Sequence, residues 1–575
     1  MQSAPQSPLH LAQKATQKMQ GTAEVLQTFS KAMAATGQAM LENPHDLMQR
    51  SLQLYQGHMA LQASLMEHMM GKPTTPAISP AKDDKRFANP LWDDGMANIL
   101  KQSYLLTSKF LAESVAATEG KLDAHTHHQA SFFTRLMIEM MSPTNSPLLN
   151  PEVMAAAVAS KGESLKAGMA NMMADIQAGR IAMTDYEQFK VGETIGCTKG
   201  EVVFRNRLIE LIQYTPQTPK VGAIPLVICP PWINRFYILD LSPHNSLVNY
   251  LVGQGFQVFM ISWKNPDASY ATTTFDDYLQ EGFIAATDAM MSITKQPKIN
   301  AVGYCIGGAM LGCAAAILNA KGDTRLNSVA FLNALLDYSD TGDINVFIDE
   351  AQIQKLEAKM KTEGTLDGRD MAAAFANLRS SDLIWNYVIN NYMLGNQPKP
   401  FDILYWNDDS TRMPATMHSW YLRNFYLDNN IAKPGKLTLL GTPLDITNIT
   451  QPAYMLCGQT DHITPWETCY KPFVAMKSAN KRFILSKAGH VAGVVNPPPA
   501  PDKAGKRPLL AGDNPTAATG QAWLASATQV PDSWWPDYSQ WLKPLSGDQI
   551  PAPKTLGNST YKPLEAAPGT YVKEH

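Results

Sequence analysis

One cysteine stands where a nucleophile would be useful. In Gly303-Tyr304-Cys305-Ile306-Gly307-Gly308 it follows an apolar run, Ile299 to Val302, and precedes small apolar residues reaching Leu318. That is the pattern of a strand, a sharp turn and a helix. Glycines two residues to either side remove the side chains that would collide in so tight a turn. The thiol is then lifted off the sheet edge, and the free N–H groups and dipole of the helix start favour its thiolate. The N–H of Ile306 would point at the oxygen of an attacked carbonyl. The predicted chemistry is attack of Cys305 on an acyl carbon. Cys229, Cys313 and Cys457 sit in apolar runs and read as buried small residues.

Two further residues complete the chemistry. Tyr454 to Cys457 reads as a strand, and Gly458-Gln459-Thr460-Asp461-His462 follows it directly. Phe483 to Leu485 reads as another, leading through Ser486-Lys487-Ala488-Gly489 to His490. An imidazole can take the thiol proton near neutral pH, and a carboxylate fixes its tautomer and stabilises its charged form. Asp461 and His490 are the candidates, with His462 as a competing base or an aid to ligand positioning. Nucleophile, Asp and His occur in the order of the alpha/beta-hydrolases, with cysteine replacing the serine of G-x-S-x-G. The second oxyanion donor should lie in the turn after the strand Ile224 to Cys229. Pro230 and Pro231 have no N–H to give, which leaves Trp232 or Ile233. A thiol converts one thioester into another at little thermodynamic cost, so acyl transfer is favoured over plain hydrolysis.

The elements that must position these groups follow from periodicity. Glu193 to Cys197, Glu201 to Arg205 and Leu208 to Tyr214 read as an antiparallel lead-in. Ile224 to Cys229, Gln257 to Ser262, Ile299 to Val302 and Ser328 to Phe331 then alternate with helical segments. That alternation predicts an alpha/beta-hydrolase-like, mostly parallel sheet with catalytic groups at the C-terminal strand ends. Between about 333 and 447 the rhythm breaks, and an inserted cap subdomain rich in aromatics is expected over the site. Residues 1–190 read as a helical N-terminal region and 191–575 as the catalytic domain. Within the former, Leu54, His58, Leu61, Leu65 and Met69 fall at helical spacing, with Leu47, Met48, Leu52 and Tyr55 beside them. This amphipathic helix, about 44–70, is either a packing face or a docking surface.

Composition narrows the classes. A formal charge of −3 with 17% charged residues offers no long-range attraction to nucleic acid. There is no signal-peptide core and no apolar run long enough to span a bilayer. The six cysteines make no metal or disulfide pattern, so a reducing cytoplasm is the expected compartment. His125, His127 and His128 lack the spacing and companions of a metal site, and none is expected.

The sequence resembles the polyhydroxyalkanoate synthases, most closely the class I enzymes that work without a second subunit type. The resemblance rests on Gly303-Tyr-Cys305-Ile-Gly-Gly308, Pro230-Pro-Trp-Ile-Asn-Arg-Phe-Tyr-Ile-Leu-Asp240 and Ser262-Trp-Lys-Asn-Pro-Asp267. It extends to Asp461-His-Ile-Thr-Pro-Trp466, Gly489-His-Val-Ala-Gly-Val-Val-Asn-Pro-Pro498, Ser533-Trp-Trp-Pro-Asp537 and Tyr571-Val572-Lys573. It implies that Cys305 attacks an (R)-3-hydroxyacyl-CoA, releases CoA and holds the acyl group as a thioester, with His490 as base. His490 or Asp461 would activate the 3-hydroxyl that extends a growing polyester. It further implies a homodimer at the surface of cytoplasmic polyester granules, with the N-terminal region assisting both. No cofactor is implied, since coenzyme A is part of the substrate and a product. Short 3-hydroxyacyl units, 3-hydroxybutyryl first, are expected, with tolerance for somewhat longer ones. Lys503, Lys506 and Arg507 are candidates to meet the CoA phosphates. The alternatives are a hydrolase of esters or polyester, and a non-enzymatic granule-binding protein.

Overall fold

The computed structural model describes residues 28–70, 75–82, 84–500, 502, 505–506 and 508–575. An eleven-stranded sheet carries the candidate chemistry. In chain order its strands are β1 (Gly200–Arg205), β2 (Ile209–Tyr214), β3 (Leu226–Cys229), β4 (Val258–Trp263), β5 (Ile299–Tyr304) and β6 (Leu326–Leu332). They continue as β7 (Ala453–Gly458), β8 (Lys481–Ser486), β9 (Leu509–Asp513), β10 (Thr528–Val530) and β11 (Glu565–Ala566). Their spatial order is β10-β9-β8-β7-β6-β5-β3-β4-β2-β1-β11. The centre, from β4 to β8, is parallel. Both flanks are antiparallel.

The sequence explains this division. Strands β3 to β7 are buried along nearly their whole length and consist almost entirely of apolar residues, as strands covered by helices on both faces must be. The helix Ile306–Ala320 covers one face and is buried from Ile306 to Leu318, which its all-round apolar sequence permits. Leu247–Gly253 and Trp534–Leu542 cover the other. The expected lead-in strand Glu193 to Cys197 is instead a tight turn. Val191 and Ile195 form only an isolated bridge, and Gly192 and Gly196 take φ of 92° and 60°. Gly192 turns the chain just before the expected strand and Gly196 breaks its extended backbone from within.

After β6 the chain builds the expected insertion from short pieces, including the helices Glu350–Glu363, Asp402–Asp408 and Ala415–Tyr421 and a π-helical turn, Leu422–Leu427. Contacts divide the chain into two units: up to Ala182 together with Ala376–Pro398, and Met183–Phe375 together with Lys399–His575. The expected insertion is therefore shared. Its stretch 376–398 packs in the first unit, where Tyr392 Oη donates to Asp175 at 2.7 Å and Asn171 Nδ2 donates to the Asn391 carbonyl at 2.9 Å. Gly168 is required there, because a Cβ would stand 1.9 Å from the Tyr392 oxygen.

In that first unit the amphipathic segment is the helix Pro44–Met69. Leu47, Leu54, His58, Leu61 and Leu65 face inward, and Gly57 meets Leu106 of the helix Gly95–Ala116. Met48, Leu52, Tyr55, Met59 and Met66 line the other stripe and are exposed by 48–66%. Among the described residues no helix is long and apolar enough to cross a membrane.

Candidate active site

Cys305 caps the helix Ile306–Ala320 with φ 54° and ψ −126°, a conformation that strains any residue with a side chain. Its N–H donates to the Leu332 carbonyl at 2.9 Å, and its carbonyl accepts from Gly308 N–H at 2.9 Å. The flanking glycines are steric necessities. A Cβ on Gly303 would come within 2.4 Å of Gly308 Cα, and one on Gly307 within 2.3 Å of the Cys229 oxygen. Thus the start of the elbow helix lies directly against the end of β3, where the turn Pro230-Pro231-Trp232-Ile233 begins.

The sheet brings Asp461 and His490 together from the ends of β7 and β8, which pair in parallel. His490 Nδ1 lies 2.7 Å from Asp461 Oδ2. The Asp461 carboxylate also accepts from Ile463 N–H and Thr464 N–H, each at 2.9 Å, and from Thr464 Oγ1 at 2.6 Å. Burial alone would push the Asp461 pKa up, but His490 and these donors outweigh it and hold it below the usual carboxylate value. For His490, burial opposes the charge, yet Asp461 and the nearby Cys305 thiolate raise its pKa well above that of a free imidazole. Cys305 is thus close enough to the His490 ring to favour its charged form. With Nδ1 engaged by Asp461, Nε2 is the nitrogen left for Cys305. The arrangement places a charged imidazole between the Asp461 carboxylate and the Cys305 side of the site.

His462 follows Asp461 directly in the chain. Its carbonyl accepts from Asp343 N–H at 3.0 Å, so its backbone serves the insertion. The N–H groups of Ile306, Trp232 and Ile233 donate to no acceptor among the described residues. The side chain of Trp232 is buried, with its ring 5.6–6.1 Å from those of Trp263, Phe275, Tyr278 and Tyr421. Tyr421, Phe425, Tyr426 and Tyr338 continue this aromatic wall. Burial raises the hydroxyl pKa of Tyr338, Tyr421 and Tyr426, and the thiolate of Cys305 adds to the effect. They remain protonated and offer neutral hydroxyls close to the nucleophile.

Further residues belong to the site though their sequence context did not single them out. Thr464 clamps Asp461, and the only sequence hint is a hydroxyl three residues after an aspartate, as in a cap. Tyr304 stacks on His490, with ring centroids 5.5 Å apart at 29°. Arg235 is buried and pairs with Asp409 at 3.1 Å; Tyr237 Oη donates to the same carboxylate at 2.6 Å. Arg235 also donates to the carbonyls of Tyr571 and Glu574, while Thr411 Oγ1 donates to the Trp232 carbonyl at 2.6 Å. The turn beside Cys305 is thereby fastened to the insertion and to the C-terminal tail. Among the described residues no three His, Cys, Asp or Glu side chains are grouped to hold a metal. His125, His127 and His128 lie at the start of the helix Ala124–Met140. Lys503 and Arg507 lie outside the described residues; Lys506 is exposed.

Comparison with known proteins extends beyond this geometry. The family described as Poly-beta-hydroxybutyrate polymerase (PhaC) N-terminus matches residues 83–251, and the alpha/beta hydrolase fold matches residues 224–497. A poly(3-hydroxyalkanoate) polymerase of Methylorubrum extorquens is 40% identical over 560 residues, covering 96% of this chain and 91% of that protein. The poly(3-hydroxyalkanoate) polymerase subunit PhaC of Cupriavidus necator is 42% identical over 497 residues, covering 85% and 83%. That of Rhizobium meliloti is 37% identical over 567 residues, covering 97% and 91%.

Proposed function

The chain belongs to the poly(3-hydroxyalkanoate) polymerase family, and from that membership we infer that it polymerises (R)-3-hydroxyacyl-CoA into polyester with release of CoA. What carries this reading is that the likeness runs through nearly the whole chain, N-terminal helices included, and not through the hydrolase core alone. In the first step the Cys305 thiolate attacks the thioester carbonyl, with Ile306 N–H and either Trp232 or Ile233 N–H receiving the oxyanion. The tetrahedral adduct collapses, the C–S bond to CoA breaks, and the CoA thiolate takes the proton held on His490. In the second step the 3-hydroxyl of an incoming 3-hydroxyacyl-CoA gives its proton to His490 and attacks the acyl thioester held on Cys305. An ester forms, the C–S bond to Cys305 breaks, the leaving thiolate takes the proton from His490, and the chain, one unit longer, is carried as a CoA thioester that Cys305 attacks as in the first step. Asp461 holds the imidazole in orientation and balances its charge throughout. Lys506, with Lys503 and Arg507, would meet the CoA phosphates.

The preferred substrates are short acyl units, 3-hydroxybutyryl first, with tolerance for somewhat longer ones. The enzyme works in the cytoplasm as a homodimer at the surface of its own insoluble product, and the exposed stripe Met48, Leu52, Tyr55, Met59 and Met66 faces that surface or the second subunit. The deciding assay measures free thiol released from (R)-3-hydroxybutyryl-CoA, with soluble acid and insoluble polyester recovered together. Thiol matched by polyester supports the polymerase; thiol matched by free acid would make the protein a thioesterase.

A further inference from the structure

Two residues at the end of β6 touch the backbone behind every member of the candidate triad. The Leu332 carbonyl accepts from Cys305 N–H at 2.9 Å. The next residue, Asn333, donates its own N–H to Leu456 O at 2.8 Å, in the strand that delivers Asp461. Its side-chain Nδ2 donates to the His490 carbonyl at 2.6 Å. Nothing between these positions in sequence announces the link, since 157 residues separate Asn333 from His490.

The residue is costly to keep. Its φ is 43°, in the left-handed region that asparagine tolerates and most side chains do not. It is fully buried, and its Oδ1 has no partner among the described residues. A buried amide that satisfies only its donor half loses free energy relative to water, and glycine would meet the backbone requirement without that loss. The donor half is therefore what the position uses. The strand end also cannot drift alone, because Ala334 abuts the elbow helix: a Cβ on Gly308 would stand 2.4 Å from Ala334 Cβ.

We propose that Asn333 is a positioning residue that ties the His490 loop to the strand end holding Cys305, and so sets the thiol–imidazole alignment. The proposal rests on the triad reading above. Its single donor bond is short and buried, and its loss is expected to lower kcat about tenfold with KM within about twofold.

The test uses the full chain and two variants. Asn333→Gly keeps the backbone conformation and removes the amide; Asn333→Asp keeps the shape and removes the donor. The readout is the pH dependence of Cys305 carboxamidomethylation by iodoacetamide, followed on the Cys305 peptide by mass spectrometry, beside kcat and KM for thiol release. Asn333→Gly should shift the alkylation midpoint upward and lower kcat, as a weaker His490→Ala. A purely structural asparagine would lower the unfolding temperature and leave that pH profile in place, which would overturn the proposal. Should Asn333→Gly fail to fold, Asn333→Asp decides by the same measurement. Loss of the fold in both would also overturn it, making Asn333 a folding residue. His490→Ala separates the two readings. If it leaves the Cys305 profile unmoved, the triad reading falls and this inference with it. If it moves the profile and the Asn333 variants do not, only this inference falls.

Discussion

At Cys305 the polypeptide accepts a strained backbone to hold a thiol at the meeting of three strand ends. Replacement of Cys305 by Ala should leave the fold and abolish thiol release, read by circular dichroism and CoA assay. Asp461→Asn is more informative about charge. His490 is held above, and Asp461 below, its ordinary value, so both are charged together near neutral pH. Removing the carboxylate lowers the His490 pKa, and the imidazolium that stabilises the thiolate is lost at a lower pH. The midpoint for Cys305 alkylation should therefore move up, and kcat should fall roughly 10²–10⁴-fold. The linked stability has the matching sign. The raised His490 value stabilises the native state below the unfolded imidazole pKa, and that contribution fades as pH rises through the folded one. An Asp461→Asn protein should thus lose stability most on the acid-to-neutral side, seen as a smaller fall in unfolding temperature at alkaline pH.

Elements matter through their closest approaches. Gly307 lets the elbow helix touch the end of β3, and a Cβ there would meet two backbone oxygens, of Cys229 and Pro230, within 2.7 Å. Neither can move aside as a flexible side chain would. Gly307→Ala should cost about 2–3 kcal/mol in denaturant unfolding and separate Ile306 from the Trp232 turn, so that activity falls more than stability. The Arg235–Asp409 pair works at the same scale, joining that turn to the insertion. Asp409→Ala leaves a buried guanidinium with only carbonyl partners and should cost about 3 kcal/mol by the same measurement. The elbow itself was legible in sequence, because its glycine spacing is local. The turn at Glu193 to Cys197 was not, because Gly192 and Gly196 could as well have bounded a short strand.

For the whole molecule, the helix Pro44–Met69 carries two apolar stripes, one covered and one exposed. The Leu54–Leu61–Leu65 stripe packs inward, while Leu52, Tyr55 and Met59 remain bare. Replacing these last three by glutamate should leave the initial rate of thiol release nearly unchanged, since they take no part in the inner packing. It should reduce the fraction sedimenting with polyester or the dimer fraction by analytical ultracentrifugation. Unchanged partitioning and unchanged dimer content would remove the surface role.

By itself the sequence determined whatever depends on neighbours along the chain. Glycine spacing announced the elbow at Cys305, apolar runs announced the central strands, and a strand followed by a short polar turn announced Asp461 and His490. The helix Pro44–Met69 was visible as two apolar stripes, but not which of them would be covered. Only the tertiary structure decided that, because coverage depends on the helix Gly95–Ala116 lying against Gly57. It alone also assigned 376–398 to the first unit, clamped Asp461 with Thr464, and brought Asn333 to His490. These are contacts between residues far apart in sequence, or geometries no spacing encodes. A chain announces its turns locally; which loop end a distant side chain will hold is settled only when the sheet has set its strand order.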